Sequence, residues 1–207
     1  MDIFQQWRFL DRSHARRGHG TKRWYDIASS SDGTKLAATV SSENIWTSTD
    51  SGATWTERSP GGSAQRWHGI ASSSDGKKLA AVVNQGNIWT SHDSRVVWRE
   101  VLPGDDTNMY STKLWNDIAS SSDGAILAAV AKNGFDVSTD SGATWDHIPG
   151  APTNEWHRVA SSSDGYKILP IIYGAYIYAL DASAMCDCCE VKMKRMGVNV
   201  ERECVMP

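Results

Sequence analysis

Residues 24–40 read WYDIASSSDGTKLAATV, and the fold follows from this stretch. Ile27-Ala28 forms the middle of a short strand. Asp32-Gly33 is a tight-turn dipeptide whose glycine accepts the positive φ of a hairpin, and Leu36 to Val40 makes the returning strand. The stretch recurs as WHGIASSSDGKKLAAVV from Trp67, WNDIASSSDGAILAAVA from Trp115 and WHRVASSSDGYKILPII from Trp156, at spacings of 43, 48 and 41 residues. A period in the forties built only of short strands is that of propeller blades. A helical reading fails because no segment of the repeats holds an apolar 3.6-residue period, and Ser, Thr, Gly and β-branched residues crowd every copy.

Downstream of each hairpin the pattern continues. Asn44-Ile45-Trp46-Thr47 reads as a third strand and Thr54-Trp55-Thr56 as a fourth, which makes a full copy a four-stranded antiparallel blade, while the fourth copy reads as three strands and loses the pattern at Asp181. Between them stands Ser48-Thr49-Asp50-Ser51-Gly52-Ala53-Thr54-Trp55, repeated as Ser138-Thr139-Asp140-Ser141-Gly142-Ala143-Thr144-Trp145. Such a loop suits a hairpin: the Asp accepts backbone N–H groups, Gly takes the unusual φ and Trp fills the apolar space beneath. The second copy keeps Ser91, Asp93 and Trp98 but has Arg95 where Gly belongs. The fourth keeps only Asp181, with Ser183 and Cys186 at the Gly and Trp positions.

These loops resemble the Asp-box, or BNR repeat, of the sialidase-like β-propeller superfamily, and the resemblance spans residues 24–181. It implies a propeller in which Ser48, Asp50, Gly52, Trp55, Asp93, Trp98, Ser138, Asp140, Gly142 and Trp145 are structural. The superfamily includes sialidases, endoglucanases, sortilin-type receptors and photosystem II assembly factors, so the resemblance implies a fold and no single activity.

The expected architecture is therefore all-β: a small propeller of about four four-stranded blades at residues 24–181, after an N-terminal segment (1–23) and before a non-repeat tail (182–207) that holds all four cysteines. Trp7 lies 17 residues before Trp24, as Trp98 does before Trp115, so Trp7-Arg8-Phe9 reads as an orphan fourth strand. Two arrangements follow. Either that strand completes the last blade and closes the ring, or the chain is an arc of a larger propeller.

With Lys plus Arg 21 against Asp plus Glu 24, the net charge of −3 gives no reason to expect nucleic acid as a partner. No apolar run is long enough to span a membrane, and the first residues lack the apolar core of a secretory signal. The compartment is left open.

Catalytic motifs are scarce. Asp32, Asp75, Asp123 and Asp164 fall once per copy in hairpins, and Asp50, Asp93, Asp140 and Asp181 once per copy in box loops, which points to turn-building. Asp105-Asp106 is an adjacent acid pair outside that pattern, read as a solvated loop. The arginine motif that the sialidase resemblance would require near the N-terminus is absent. Cys186-Asp187-Cys188-Cys189 lacks the paired spacing of a zinc site. His14, His19, His92 and His147 share no common position and read as loop or edge residues.

One constellation stands out after each blade-opening tryptophan: Tyr25, His68, Asn116 and His157, followed by Asp26, Asp117 and Arg158. If the first strand of every blade lines a central channel, these side chains converge and form the candidate binding set. No cofactor and no metal is implied. The reading is an interaction module that binds a protein or a glycan through the interblade loops at 58–66, 99–114 and 146–155. The alternative is a glycan-acting hydrolase of sialidase or endoglucanase type.

Overall fold

The computed structural model describes residues 22–93, 97–101, 113–148, 155–174, 176–181 and 194–195. Trp7, Asp105-Asp106 and the four cysteines lie outside them. The described chain is all-β, apart from a 3-10 turn at Pro60–Gly62. The first copy folds as β1 (Trp24–Ser29), β2 (Leu36–Glu43), β3 (Ile45–Ser48) and β4 (Thr56–Arg58). The second gives β5 (Gln65–Ser72), β6 (Leu79–Gly86), β7 (Ile88–Ser91) and β8 (Arg99–Val101). The third gives β9 (Lys113–Ser120), β10 (Leu127–Ala131), β11 (Gly134–Ser138) and β12 (Asp146–His147). The last contains β13 (Trp156–Ser161), β14 (Lys167–Ile172), β15 (Tyr178–Asp181) and β16 (Lys194–Arg195).

Within each copy the strands pair antiparallel in chain order. The hairpin turns are held by their own side chains: Asp32 accepts from Ser30 Oγ at 2.6 Å and Thr34 N–H at 3.0 Å, and Asp75, Asp123 and Asp164 repeat the arrangement. The fourth strands begin later than the sequence implies. Trp55, Trp98 and Trp145 stand just before β4, β8 and β12, because the box loop holds the chain up to that point. In the first loop Asp50 accepts from Ser48 Oγ and Thr54 N–H, both at 2.8 Å, and Trp55 Nε1 donates to Gly52 O at 3.1 Å. Asp140 repeats the first two bonds at the same distances. Backbone bonds from Ser51 N–H to Thr34 O and Ser141 N–H to Ala125 O tie each box loop to the hairpin turn beside it.

Register moves one assignment. Ile168 pairs with Leu180 as Leu36 pairs with Ser48, so Leu180 occupies the box serine position and Asp181 falls one residue short of the box aspartate. Asp181 instead forms an ion pair with Lys167. The edge of β15, where one of the two arrangements put the N-terminal strand, pairs with Lys194–Arg195 through Tyr178↔Arg195 and Ala179↔Lys194.

Each blade stacks on the next through a hydrophobic seam. Blade 1 contributes Ala37 and Ile45 to a cluster with Trp67, Ile70, Leu79, Ala81, Val83 and Trp89 of blade 2. Blades 2 and 3 repeat this around Trp115 and Ile118, and blades 3 and 4 around Trp156 and Ile168. Trp67, Trp115 and Trp156 are fully buried, and emptying one such position costs about 3–5 kcal/mol. The innermost strands pack in series, β1 on β5, β5 on β9 and β9 on β13, but β13 is not packed on β1 in this way. The described blades form an open arc.

Candidate functional site

The residue after each blade-opening tryptophan lies at a β-bulge. Trp24 pairs with Val40 and Asp26 with Thr39, leaving Tyr25 as the extra residue. The same surplus falls on Asn116 and His157, and on His68-Gly69 in blade 2. A bulge takes one residue out of the ladder and re-aims its side chain. The repeat therefore presents one re-aimed side chain per blade, at the end of the arc where chain enters each innermost strand. The 59–64 connection lies at that end, opposite the box loops.

Two of these side chains meet. Tyr25 stacks on His68 with ring centroids 4.0 Å apart and planes 19° from parallel. Burial, then the charges of Arg66 and Arg158, lower the His68 pKa to about 4, so its imidazole is neutral at pH 7. His157 pairs instead with Tyr173, centroids 5.4 Å apart. Arg66 is exposed and donates to Gln85 Oε1 at 2.5 Å.

The other members bind neighbouring blades together. Asn116 Nδ2 donates to Trp156 O at 2.6 Å. Asp26 accepts from Ile27 N–H at 2.9 Å and from Ile70 N–H of blade 2 at 2.8 Å. Asp117 accepts from Val159 N–H of blade 4 at 2.9 Å and lies 3.6 Å from Arg158. Burial raises the Asp117 pKa to about 6 against the opposing pull of Val159 N–H and Arg158, and the charge of Asp26 pushes it further in the same direction. Blade 2 has Gly69 at the equivalent position, where a Cβ would stand 2.9 Å from Asp117 Oδ1. Of the seven candidate residues, then, Asp26, Asn116 and Asp117 are engaged at seams. Tyr25, His157 and Arg158 are exposed, Arg158 while also pairing with Asp117, and His68 is half-buried, so the accessible groups are aromatic rings with Arg66 and Arg158 as cations.

A second polar cluster escaped the sequence reading. Asp136 is buried in β11, pairs with Lys113 Nζ at 2.6 Å and accepts from His147 Nδ1 at 2.8 Å. The signal was present: Asp136 pairs with Ala129 as Trp46 pairs with Ala38 and Trp89 with Ala81, so a carboxylate replaces a tryptophan and needs partners. An Asp–His pair of this kind fixes the imidazole tautomer and leaves Nε2 outward. A separate shallow cleft between blades 2 and 3, lined by Lys78, His92 and Ser141 among others, encloses only about 10 Å³, room for about one water and far below the roughly 300 Å³ at which small-molecule sites begin. Among the described residues no three His, Cys, Asp or Glu side chains converge as metal ligands. Nor is any described helix long and apolar enough to cross a membrane.

No family model matches the chain, and no curated protein matches it. Solved structures do. YCF48 from Cyanidioschyzon merolae superposes with a TM-score of 0.57 at 14% identity, over 78% of this chain and 54% of that one. YCF48 bound to D1 peptide superposes at 0.52 and 14%, over 79% and 66%. The GH74 xyloglucanase from Xanthomonas campestris reaches 0.64 at 16%, over 89% and 31%. All are β-propellers. The fold is that of a β-propeller. At these identities the likeness extends to fold alone, and the chain spans about half the length of the YCF48 chain and a third of the xyloglucanase.

Proposed function

We propose that this propeller arc is a non-enzymatic interaction module that binds an extended segment of a protein partner on the face carrying the interblade connections, the bulged residues Tyr25, His68 and His157, and Arg158. The observation that carries this reading is the Tyr25–His68 stack flanked by Arg66 and Arg158: an aromatic platform with guanidinium groups beside it recognises peptide planes and carboxylates. The conspicuous aspartates support it, since Asp32, Asp50 and their repeats are engaged in turns and Asp26 and Asp117 at seams. Two carboxylates facing each other across a substrate, as glycoside hydrolysis needs, are not formed by any of these. That one propeller of this shape is seen with a peptide bound is compatible with the reading.

Selection from a displayed random-peptide library tests it. Enriched peptides should bind the native chain and lose at least tenfold in affinity to Tyr25→Ala or Arg158→Glu. Peptides unaffected by either change place the binding face elsewhere. Turnover of a fluorogenic glycoside panel by the purified chain overturns the reading in favour of a glycan-acting hydrolase, which the xyloglucanase likeness keeps as the second possibility.

A further inference from the structure

Three seams repeat one construction, so its two halves can be recognised wherever they occur. The forward half of a blade presents the residue after the second-strand leucine and the first apolar residue of the third strand: Ala37 with Ile45, Ala80 with Ile88, and Ala128 with Phe135, none more than 2% exposed. The rear half presents the blade-opening tryptophan and the apolar residue three positions on: Trp67 with Ile70, and Trp115 with Ile118, none more than 4% exposed.

Both halves also occur bare. On blade 4, Leu169 and Ile177 hold the forward positions, because Ile171 pairs with Ile177 as Thr39 does with Ile45, and they are 40% and 48% exposed. On blade 1, Trp24 and Ile27 hold the rear positions and are 52% and 60% exposed. The polar pattern breaks off at the same places. Backbone bonds run from Ser31 N–H to Ser74 O, from Ser74 N–H to Ser122 O and from Ser122 N–H to Ser163 O, and among the described residues this ladder has no fourth rung. The hairpin glycines of blades 2, 3 and 4 pack against Lys35, Lys78 and Ile126 of the preceding blade, whereas among the described residues nothing packs beyond Gly33.

We infer that a second copy of this chain docks head to tail, the rear face of its blade 1 covering the forward face of blade 4. The bare faces are complementary in detail. The residue two positions after each blade-opening tryptophan meets its counterpart across a seam, as Asp117 meets Arg158 at 3.6 Å. In the intermolecular seam that pair becomes Arg158 against the incoming Asp26, an ion pair of the same kind with the order reversed. Blade 4 offers no carboxylate to the incoming Ile27 N–H, and none is needed: Asp26 already accepts that group at 2.9 Å, just as Asp117 accepts Ile118 N–H at the seam where Gly69 supplies no acceptor.

A head-to-tail contact grows into a filament unless it closes. Two arcs of four blades make eight, within the range of about four to eight seen in propellers, while three make more than that range holds. The closed species is a dimer with two identical seams.

Light scattering after size exclusion should give twice 22.7 kDa for the intact chain at micromolar concentration. Ile27→Lys and Leu169→Lys, at positions exposed in the single chain, should each give one chain's mass with unchanged circular dichroism and melting cooperativity. Mixing the two variants should restore a dimer, since the Ile27→Lys chain keeps a sound blade 4 face and the Leu169→Lys chain a sound blade 1 face. A monomeric native chain overturns the inference, and so does a dimer that survives either substitution. A dimer lost in both variants and not regained on mixing overturns the head-to-tail arrangement, because a self-paired patch cannot be complemented in that way.

Discussion

Asp117 and His68 prefer to be neutral for the same physical reason, burial, but respond to acid in opposite senses. Asp117 is raised from 3.8 to about 6, so the fold favours its protonated form. That contribution is complete below pH 3.8, is lost as pH rises through 6, and amounts to about 3 kcal/mol. His68 is lowered from 6.5 to about 4. Its contribution is present above pH 6.5 and is lost as pH falls through 4. Between pH 4 and 6 the two slopes oppose, and urea midpoints of the native chain should vary little across that range. Asp117→Asn should leave a midpoint that falls steadily on acidification, and His68→Gln one that rises. Below pH 4 the turn aspartates take over. Asp32 and Asp50, held at about 2 by their hydroxyl and backbone donors, support the fold above pH 3.8 and cease to as pH falls towards 2.

At the same scale, Asp136 marks a limit of sequence reading. Its position in β11 was legible, but its two partners arrive from β9 and β12, 23 and 11 residues away, and no spacing rule links them. Asp136→Ala strips Lys113 and His147 of their shared acceptor and should cost about 2–3 kcal/mol in denaturant unfolding, whereas an exposed ion pair such as Lys132–Glu155 should cost under ~1 kcal/mol.

Elements were readable to the extent that local chemistry builds them. Ser-Ser-Asp-Gly turns and box loops satisfy their own donors within five residues, so four Asp-Gly hairpins and two full box loops could be placed from sequence. The fourth strands start later than the sequence implies because their start depends on how far the box loop extends, and the pairing of β16 with β15 was not legible because it runs across a non-repeating segment. The bulges were not foreseen either, although they decide which side chains leave the sheet. Glycines separate a turn's own demand from its place in the stack. Gly33 and Gly165 have φ of +70° and +80°, but a Cβ at Gly33 meets nothing within 4 Å while one at Gly165 stands 2.7 Å from Ile126 Cβ. Gly33→Ala should therefore cost about 1 kcal/mol, the left-handed strain alone, and Gly165→Ala about 2–4 kcal/mol once the seam contact is added. Equal losses would show that the turns, and not the seams, set the requirement for glycine.

For the molecule as a whole, seams matter more than blades, since a single repeat unit cannot bury its hydrophobic faces alone and stacking on neighbours does so. In a repeat array stability is the sum of unit and neighbour contributions. Among the described residues blades 2 and 3 each have two seams, while blades 1 and 4 have one each. Amide exchange should therefore follow position rather than sequence: β6 and β10 slowest, β2 and β14 faster, although all four derive from the same stretch of the repeat. In Ile27→Lys, held monomeric, that gradient should persist at every protein concentration. In the native chain it should flatten as concentration rises, because docking supplies blades 1 and 4 with their second seam and binding a partner adds directly to the free energy of opening. A gradient in the native chain that ignores concentration would mean that nothing covers the end faces, and the excess exposure of Trp24, Ile27, Leu169 and Ile177 would then be a property of the working molecule.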